Sequence, residues 1–451
     1  MDRAGLEMSE YLRVAVTTLG CKANQYDSSA IEEALGSGGG LIAVPFPGPA
    51  DAYVINTCTV TSRTDCQSRQ LIRRARRSSP GAVVIVTGCY AQVSPSEVRR
   101  IPGVDYVLGN SEKGNILSYI RKGRRTEGAE TVVGPGQTGT PLELRAGGSS
   151  GRTRANLKVQ DGCNRACSYC IIPRARGASR SLPLESVEAE IERLVEKGYR
   201  EIVLTGIHLG AYGADLGERT DLASILKLIE KRAWPCRVRL SSIDPDEVSG
   251  ELIDMLRGSE KICNHVHLPL QSGDEGITRR MRRSSTPGEF SEKVERLVRE
   301  VPGISVGTDV IAGFPGEGGR EFENTYRLLE GLPVSYLHVF PFSAREGTPA
   351  AGYTDRVDPW TLRQRCLRLK ELDESKRKEF YTAFVGSTAG VLVETTRDRV
   401  TGMLKGKARN YIPVVIEDGG DEAFNEIVDV RLTGLSGTKG MRGKAILRGT
   451  F

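Results

Sequence analysis

No run of eighteen apolar residues occurs in the 451-residue chain, so a membrane-spanning helix is not expected. Residues Met1 to Glu10 lack the basic-then-apolar order of a secretory leader, which makes the cytoplasm the expected location and leaves no membrane partner. Cysteine is sparse. Ten in a chain of this length is far below the density of a disulfide scaffold, and thiols in a reducing compartment point to metal binding or catalysis. Charge of one sign is also in small excess: a net charge of +6 permits a phosphate-bearing partner without requiring one. Apolar residues are not lacking. They make up 39% of the chain, enough for folded domains, and the length suggests about three of them.

What the chain does have is a Cys-x3-Cys-x2-Cys run, Cys163, Cys167 and Cys170, within Val159-Gln160-Asp161-Gly162-Cys163-Asn164-Arg165-Ala166-Cys167-Ser168-Tyr169-Cys170. Soft thiolates select iron-sulfur clusters, zinc or copper(I). A structural zinc site wants a fourth Cys or His nearby, yet the next histidine is His208. Three ligands suit a cubane cluster that leaves one iron open.

The hydrophobic pattern gives an α/β fold class with three parts. Residues 10–128 alternate short β-branched runs with helical stretches, the pattern of a doubly wound parallel sheet. Strands are expected at Val14 to Leu19, Ala52 to Asn56, Val83 to Thr87 and Asp105 to Leu108, and the first three lead directly into Gly20-Cys21, Thr57-Cys58 and Gly88-Cys89. Three cysteines at one structural address, the strand ends where open α/β sheets bind ligands, form a second candidate thiolate triad. The other reading is three small buried apolar residues. Residues 129–152, rich in Gly, Pro and Thr, read as a linker. Six strand-like runs alternate with amphipathic helices over 153–385 and predict a partial (βα)6 barrel, with polar loops after its strands. Residues 386–451 hold five short strands, among them Thr401 to Leu404 and Lys444 to Leu447, and predict a small all-β, OB-like barrel. Lys405, Lys407 and Arg409 beside Tyr411 would suit an RNA surface there. Arg69, Arg73 and Arg77, joined by Arg74 and Arg76, recur along one expected helix as a possible phosphate stripe, against the plainer reading of a solvated face.

The cysteine run opening a βα barrel resembles that of radical S-adenosylmethionine (SAM) enzymes, and the whole chain resembles the methylthiotransferases. The motifs are Thr18-Leu19-Gly20-Cys21-Lys22-Ala23-Asn24-Gln25-Tyr26-Asp27-Ser28, Leu204-Thr205-Gly206-Ile207-His208-Leu209-Gly210, Arg239-Leu240-Ser241-Ser242-Ile243-Asp244-Pro245 and Val339-Phe340-Pro341-Phe342-Ser343-Ala344-Arg345. Within that family the chain is most similar to the bacterial subgroup acting on N6-threonylcarbamoyladenosine in tRNA. Arg174, where an aromatic is expected, and the additional Cys66 depart from the family pattern.

The resemblance implies a cluster domain, a radical SAM barrel and a C-terminal TRAM domain. It implies two 4Fe-4S clusters, one on Cys21, Cys58 and Cys89 and the other on Cys163, Cys167 and Cys170. SAM would serve as methyl donor and as radical source, with Tyr169, Ser242, Gln271, Asp309, Ile311 and Gly313 contacting it. The implied partners are the anticodon stem-loop of tRNA, an electron donor and a sulfur source. An aromatic C2–H has no accessible pKa, so no general-base dyad is sought. His208, on the loop after the second barrel strand, has two readings, one facing the substrate base and one structural. Isopentenyladenosine in tRNA and a ribosomal-protein aspartate are alternative targets, and an iron-sulfur RNA-binding regulator is the non-enzymatic alternative. A threonyl carboxylate calls for a basic residue near the substrate pocket, an isopentenyl group for apolar walls.

Overall fold

The computed structural model describes residues 11–37, 39–135, 153–217 and 220–446. Six parallel strands form the N-terminal sheet: β1 (Leu12–Thr18), β2 (Leu41–Ala43), β3 (Ala52–Thr57), β4 (Val83–Gly88), β5 (Tyr106–Leu108) and β6 (Glu130–Val132). Their order is β2-β1-β3-β4-β5-β6. The chain moves outward from β1 to β2 and then restarts on the other side at β3, which makes the crevice between β1 and β3 the switch point of the sheet. β3 and β4 are buried along their whole length, as expected for central strands covered on both faces. β6 pairs with β5 through Tyr106↔Glu130 and Val107↔Thr131. The sheet therefore runs past residue 128 into the span expected as linker; a three-residue edge strand is too short to show periodicity. The remainder of that span, 136–152, lies outside the described residues.

The central domain contains β7 (Ala155–Lys158), β8 (Gln160–Asp161), β9 (Arg180–Ser181), β10 (Glu201–Thr205), β11 (Arg237–Leu240), β12 (His265–His267), β13 (Ser305–Ala312) and β14 (Tyr336–Pro341). Two parallel sheets, β11-β10-β7 and β12-β13-β14, are joined by parallel bridges Val238↔Ile262 and Ser242↔His267. Six strands thus make the expected open barrel around one apolar core. β8 and β9 are an antiparallel clasp, Gln160↔Ser181 and Asp161↔Arg180, that pinches off the loop carrying the cysteine run.

Following the long helix Pro359–Thr382, β15 (Thr388–Val393), β16 (Leu404–Ala408), β17 (Pro413–Ile416), β18 (Ile427–Leu435) and β19 (Met441–Ala445) close a small barrel in the order β15-β16-β17-β19-β18. The strand expected at Thr401 to Leu404 starts instead at Leu404. Asp398 accepts hydrogen bonds from the Val400 and Thr401 amides and holds that stretch in a turn. The strand buries Leu404, Gly406 and Ala408, two of which are too small to register as an apolar face. Among the described residues no helix is long and apolar enough to cross a membrane.

The terminal barrel caps the amino-terminal ends of the central strands. Arg237 and Arg239 on β11 bind Glu201, the first residue of β10, at 2.7 and 2.8 Å, and Arg237 also donates to the Gly390 and Lys407 carbonyls. Arg409 reaches back to the Ser259 and Ile262 carbonyls and to Glu260 at 3.3 Å.

Candidate metal centres and ligand pockets

Cys21 precedes helix α1 (Lys22–Ser37), Cys58 follows β3, and Cys89 opens the short helix α3 (Cys89–Val93), after α2 (Ser62–Ser78). Register brings them together: Thr18↔Asn56 and Thr57↔Gly88 are direct cross-strand partners. Two glycines permit the close approach. Gly20 has φ +105°, and a Cβ there would lie 2.8 Å from Cys58 Cβ; Gly88, at φ +94°, would clash with the Thr57 carbonyl oxygen. Neither position accepts an ordinary L side chain. Asn24 ties the loops by donating to the Leu19 and Thr57 carbonyls at 2.8 and 3.0 Å. Burial, with Cys89 and Cys21 close by, pushes the Cys58 thiol up to about 12.

The second triad sits in the loop clasped by β8 and β9. Burial pushes the Cys170 thiol up to about 12, and the neighbouring Cys167 and Cys163 add to the rise. Arg283 lies 3.9 Å from Cys167 Sγ, and the Arg165 amide lies 3.4 Å from Cys163 Sγ.

Both triads fit an iron-sulfur cluster by donor chemistry. Neither set of three sulfurs lies entirely within 4.8 Å among the described residues, whereas Zn–S bonds of about 2.3 Å would draw tetrahedral sulfurs to roughly 3.8 Å apart. Burial raises the Cys58, Cys89 and Cys170 thiols, and neighbouring thiols need a cation to become thiolates together. A buried charge network faces the first triad. Asp27 binds Lys113 at 2.6 Å, Lys158 at 2.5 Å and Arg176 at 3.2 Å, while Asp161 binds Lys158 and Arg176 at 2.9 Å each. Three cations against two carboxylates leave positive charge, and Arg176 also interacts with Cys89. Asp27 and Lys113 belong to the N-terminal domain and the others to the barrel, so this network holds one triad against the other.

A second clamp lies beside Cys58. Arg345 donates to Thr59 Oγ1 and Asp65 Oδ2 at 2.6 Å each, all buried. Burial raises the Asp65 pKa, against the opposing pull of Thr59 and Arg345. Sequence reasoning missed both the network and this clamp, although Asp27 and Arg345 stand inside motifs it had singled out.

Tyr169, Gln271, Asp309 and Ile311 line one cavity of about 200 Å³ together with Cys170 and, across the domain boundary, Val60. Burial raises the Tyr169 phenol well above its usual range, and its ring packs edge-on to Phe314 at 6.5 Å. Ser242 and Gly313 are not among that lining; the Gly313 amide donates to Glu317 at 2.8 Å. Asp309 is held by His267 at 2.9 Å and by His338 at 3.2 Å. His208 turns to Glu247 at 2.5 Å, a structural setting beside Cys163. Cys66 is exposed on α2, and Arg174 donates to the Glu346 carbonyl.

The arginine series divides. Arg69 donates to Tyr90 Oη at 3.0 Å, and Arg76 is spent on Asp105 and nearby carbonyls. Arg73, Arg74 and Arg77 are exposed. In the terminal barrel the expected RNA face is turned inward: Arg409 serves the clamp described above, Lys407 Nζ stands 3.4 Å over the Tyr411 ring, and Tyr411 packs on His265 and Arg239. A basic strand looks the same in sequence whether it meets RNA or a neighbouring domain. Lys405 stays near the surface, 3.8 Å from Glu394.

Residues 13–109 match the profile described as "Uncharacterized protein family UPF0004", and residues 157–329 match the Radical SAM superfamily. The chain is 41% identical over 425 residues to the threonylcarbamoyladenosine tRNA methylthiotransferase MtaB of Bacillus subtilis, covering 93% of each protein. It is 33% identical to the tRNA-2-methylthio-N(6)-dimethylallyladenosine synthase of Alkalilimnicola ehrlichii, over 93% of this chain and 95% of that one. Among solved structures, the radical S-adenosylmethionine methyltransferase TsrM of Kitasatospora setae shares the fold with a TM-score of 0.54 at 18% identity, over 75% of this chain and 77% of that one.

Proposed function

Because the chain belongs to the radical SAM methylthiotransferase family, we propose that it methylthiolates C2 of N6-threonylcarbamoyladenosine at position 37 of tRNA, beside the anticodon. The product is 2-methylthio-N6-threonylcarbamoyladenosine. The observation that carries this reading is the pair of three-cysteine sets, each one ligand short of closure, held by one buried charge network that spans two domains. The relative named for threonylcarbamoyladenosine stands at 41% identity, against 33% for the one named for dimethylallyladenosine. That difference favours the polar substrate.

Cys21, Cys58 and Cys89 are assigned to one 4Fe-4S cluster, and Cys163, Cys167 and Cys170 to the other. When bound, the clusters would pass on the electron and carry the incoming sulfur, and SAM would supply the radical and the methyl group, chemistry that side chains lack. The chain's own part is placement. Tyr169, Gln271, Asp309 and Ile311 form the SAM cavity beside Cys170. Gly20 and Gly88 let the first triad converge, and Arg176 supplies positive charge beside Cys89. Exposed Arg73 and Arg77 on α2 are assigned to tRNA phosphates. The terminal barrel is assigned as a TRAM domain. An external reductant and a sulfur source complete the stoichiometry, and reduced thiols with a tRNA substrate fit the cytoplasm.

The test is nucleoside mass analysis of tRNA from cells with and without this protein, alongside ribosomal peptides. Loss of the methylthio group from threonylcarbamoyladenosine is expected; loss from isopentenyladenosine or from a ribosomal aspartate would reassign the substrate. In the reconstituted enzyme, Cys58→Ala should retain 5′-deoxyadenosine formation and stop sulfur transfer, whereas Cys167→Ala should stop both. A wild-type enzyme that forms no 5′-deoxyadenosine would favour an iron-sulfur regulator.

A further inference from the structure

A cavity of about 340 Å³ opens where all three domains meet. Lys22 and Gln25 enter it from α1, Arg154 and Asn156 from β7 and the residue before it, Arg239 from the barrel floor and Tyr411 from the terminal barrel. Its charges do not balance. Glu201 is already shared by Arg237 at 2.7 Å and Arg239 at 2.8 Å, and Glu394 by Arg154 at 2.8 Å and Lys405 at 3.8 Å. Among the described residues no carboxylate forms an ion pair with Lys22, and Arg154 Nη1 is buried with no hydrogen-bond partner. Cations removed from water without a counter-charge call for an anion.

The position of the cavity says which anion. Lys22 directly follows Cys21 in the chain and lines this cavity, so the cavity wall adjoins the first cysteine triad through a single peptide link. A base that presents C2 to that triad can direct its N6 substituent toward Lys22. We propose that Lys22, with the free nitrogen of Arg154, receives the carboxylate of the threonylcarbamoyl group and thereby sets substrate choice. The proposal rests on the substrate reading above. A carboxylate accepts charge-assisted hydrogen bonds from both groups; an isopentenyl chain would leave Lys22 without a counter-charge and Arg154 Nη1 without an acceptor, the situation that makes polar sites reject apolar analogues.

The experiment compares two anticodon stem-loop RNAs on the cluster-loaded full-length enzyme, one with N6-threonylcarbamoyladenosine and one with its methyl ester. The wild type should favour the acid by about 10- to 150-fold in kcat/KM, the range of one charge-assisted hydrogen bond. Lys22→Met, checked for full iron content, should bring that ratio close to one. Equal use of acid and ester by the wild type would overturn the proposal, as would a Lys22→Met enzyme that keeps the preference. The ester comparison needs no variant and stands even if Lys22→Met fails to hold its iron. A wild-type enzyme inactive on both RNAs but active on an isopentenyladenosine stem-loop would overturn the substrate reading itself, and the proposal with it.

Discussion

Replacing Asp27 with Asn keeps the shape of the side chain and removes one charge from the centre of the interdomain network. Asp27 is 1% exposed and meets three cations, Lys113, Lys158 and Arg176, each 3% exposed. Asp161 alone would then face them, and Lys113 would lose its only ion-pair partner among the described residues. Breaking a buried pair from one side destabilises by about 3–5 kcal/mol. At roughly 2–4 °C per kcal/mol for a unit of 150–250 residues, the first calorimetric transition should fall by roughly 6–20 °C. Arg13→Ala, which removes the exposed Arg13–Asp51 pair, is the control and should leave the transition essentially unmoved, since exposed pairs contribute little. The pH dependence follows from sign. Burial would raise the Asp27 carboxyl, but Lys113, Lys158 and Arg176 outweigh it and hold it well below the usual range. A depressed folded-state pKa gives stability that is full above the unfolded value near 3.9 and is lost as pH falls through the folded one. The gap between wild type and Asp27→Asn should therefore be constant from pH 5 to 8 and shrink in acid below about pH 4. A drop of less than about 2 °C at neutral pH would refute the claim that this charge joins the two domains.

Three further outcomes can be checked. Burial opposes ionisation of Tyr411, yet Lys407 and Lys22 bring its phenol down to about 8; the absorbance difference between wild type and Tyr411→Phe should show a midpoint near that pH, and a midpoint at 10 or above would contradict the cationic setting. Because this folded value is depressed, the associated stability grows between pH 8 and the unfolded value near 10. Arg409→Ala removes donors to Ser259 and Ile262 carbonyls; at about 1.5–3 kcal/mol for a hydrogen bond to a charged group, limited proteolysis should release the terminal barrel sooner, and unchanged cleavage would deny the clamp. Arg73→Glu with Arg77→Glu should weaken stem-loop binding and flatten its salt dependence by about one unit of slope per lost phosphate contact. An unaltered slope would leave these arginines as a solvated helix face.

The alternation of strands was sufficient to bring the ends preceding Cys21, Cys58 and Cys89 side by side, because a parallel sheet delivers like strand ends to one edge. The same pattern identified the open barrel and the small closed one. Edges were harder: β6 is three residues long, and β16 builds its inner face from Leu404, Gly406 and Ala408. Four of the six residues expected around SAM share a cavity, since alternate residues of β13 point the same way.

Partner choice for charged side chains belonged to the tertiary structure alone. Lys407 and Arg409 read as a surface and are an interface, Arg76 and Arg73 lie three apart on one helix with opposite fates, and Lys22, between three domains, has no ion-pair partner among the described residues. Apolar periodicity records which face is buried, but it carries no record of what covers that face. A lysine or arginine acquires its meaning only when distant segments fix the solvent around it and decide whether its charge is met by a carboxylate, a carbonyl or a ligand.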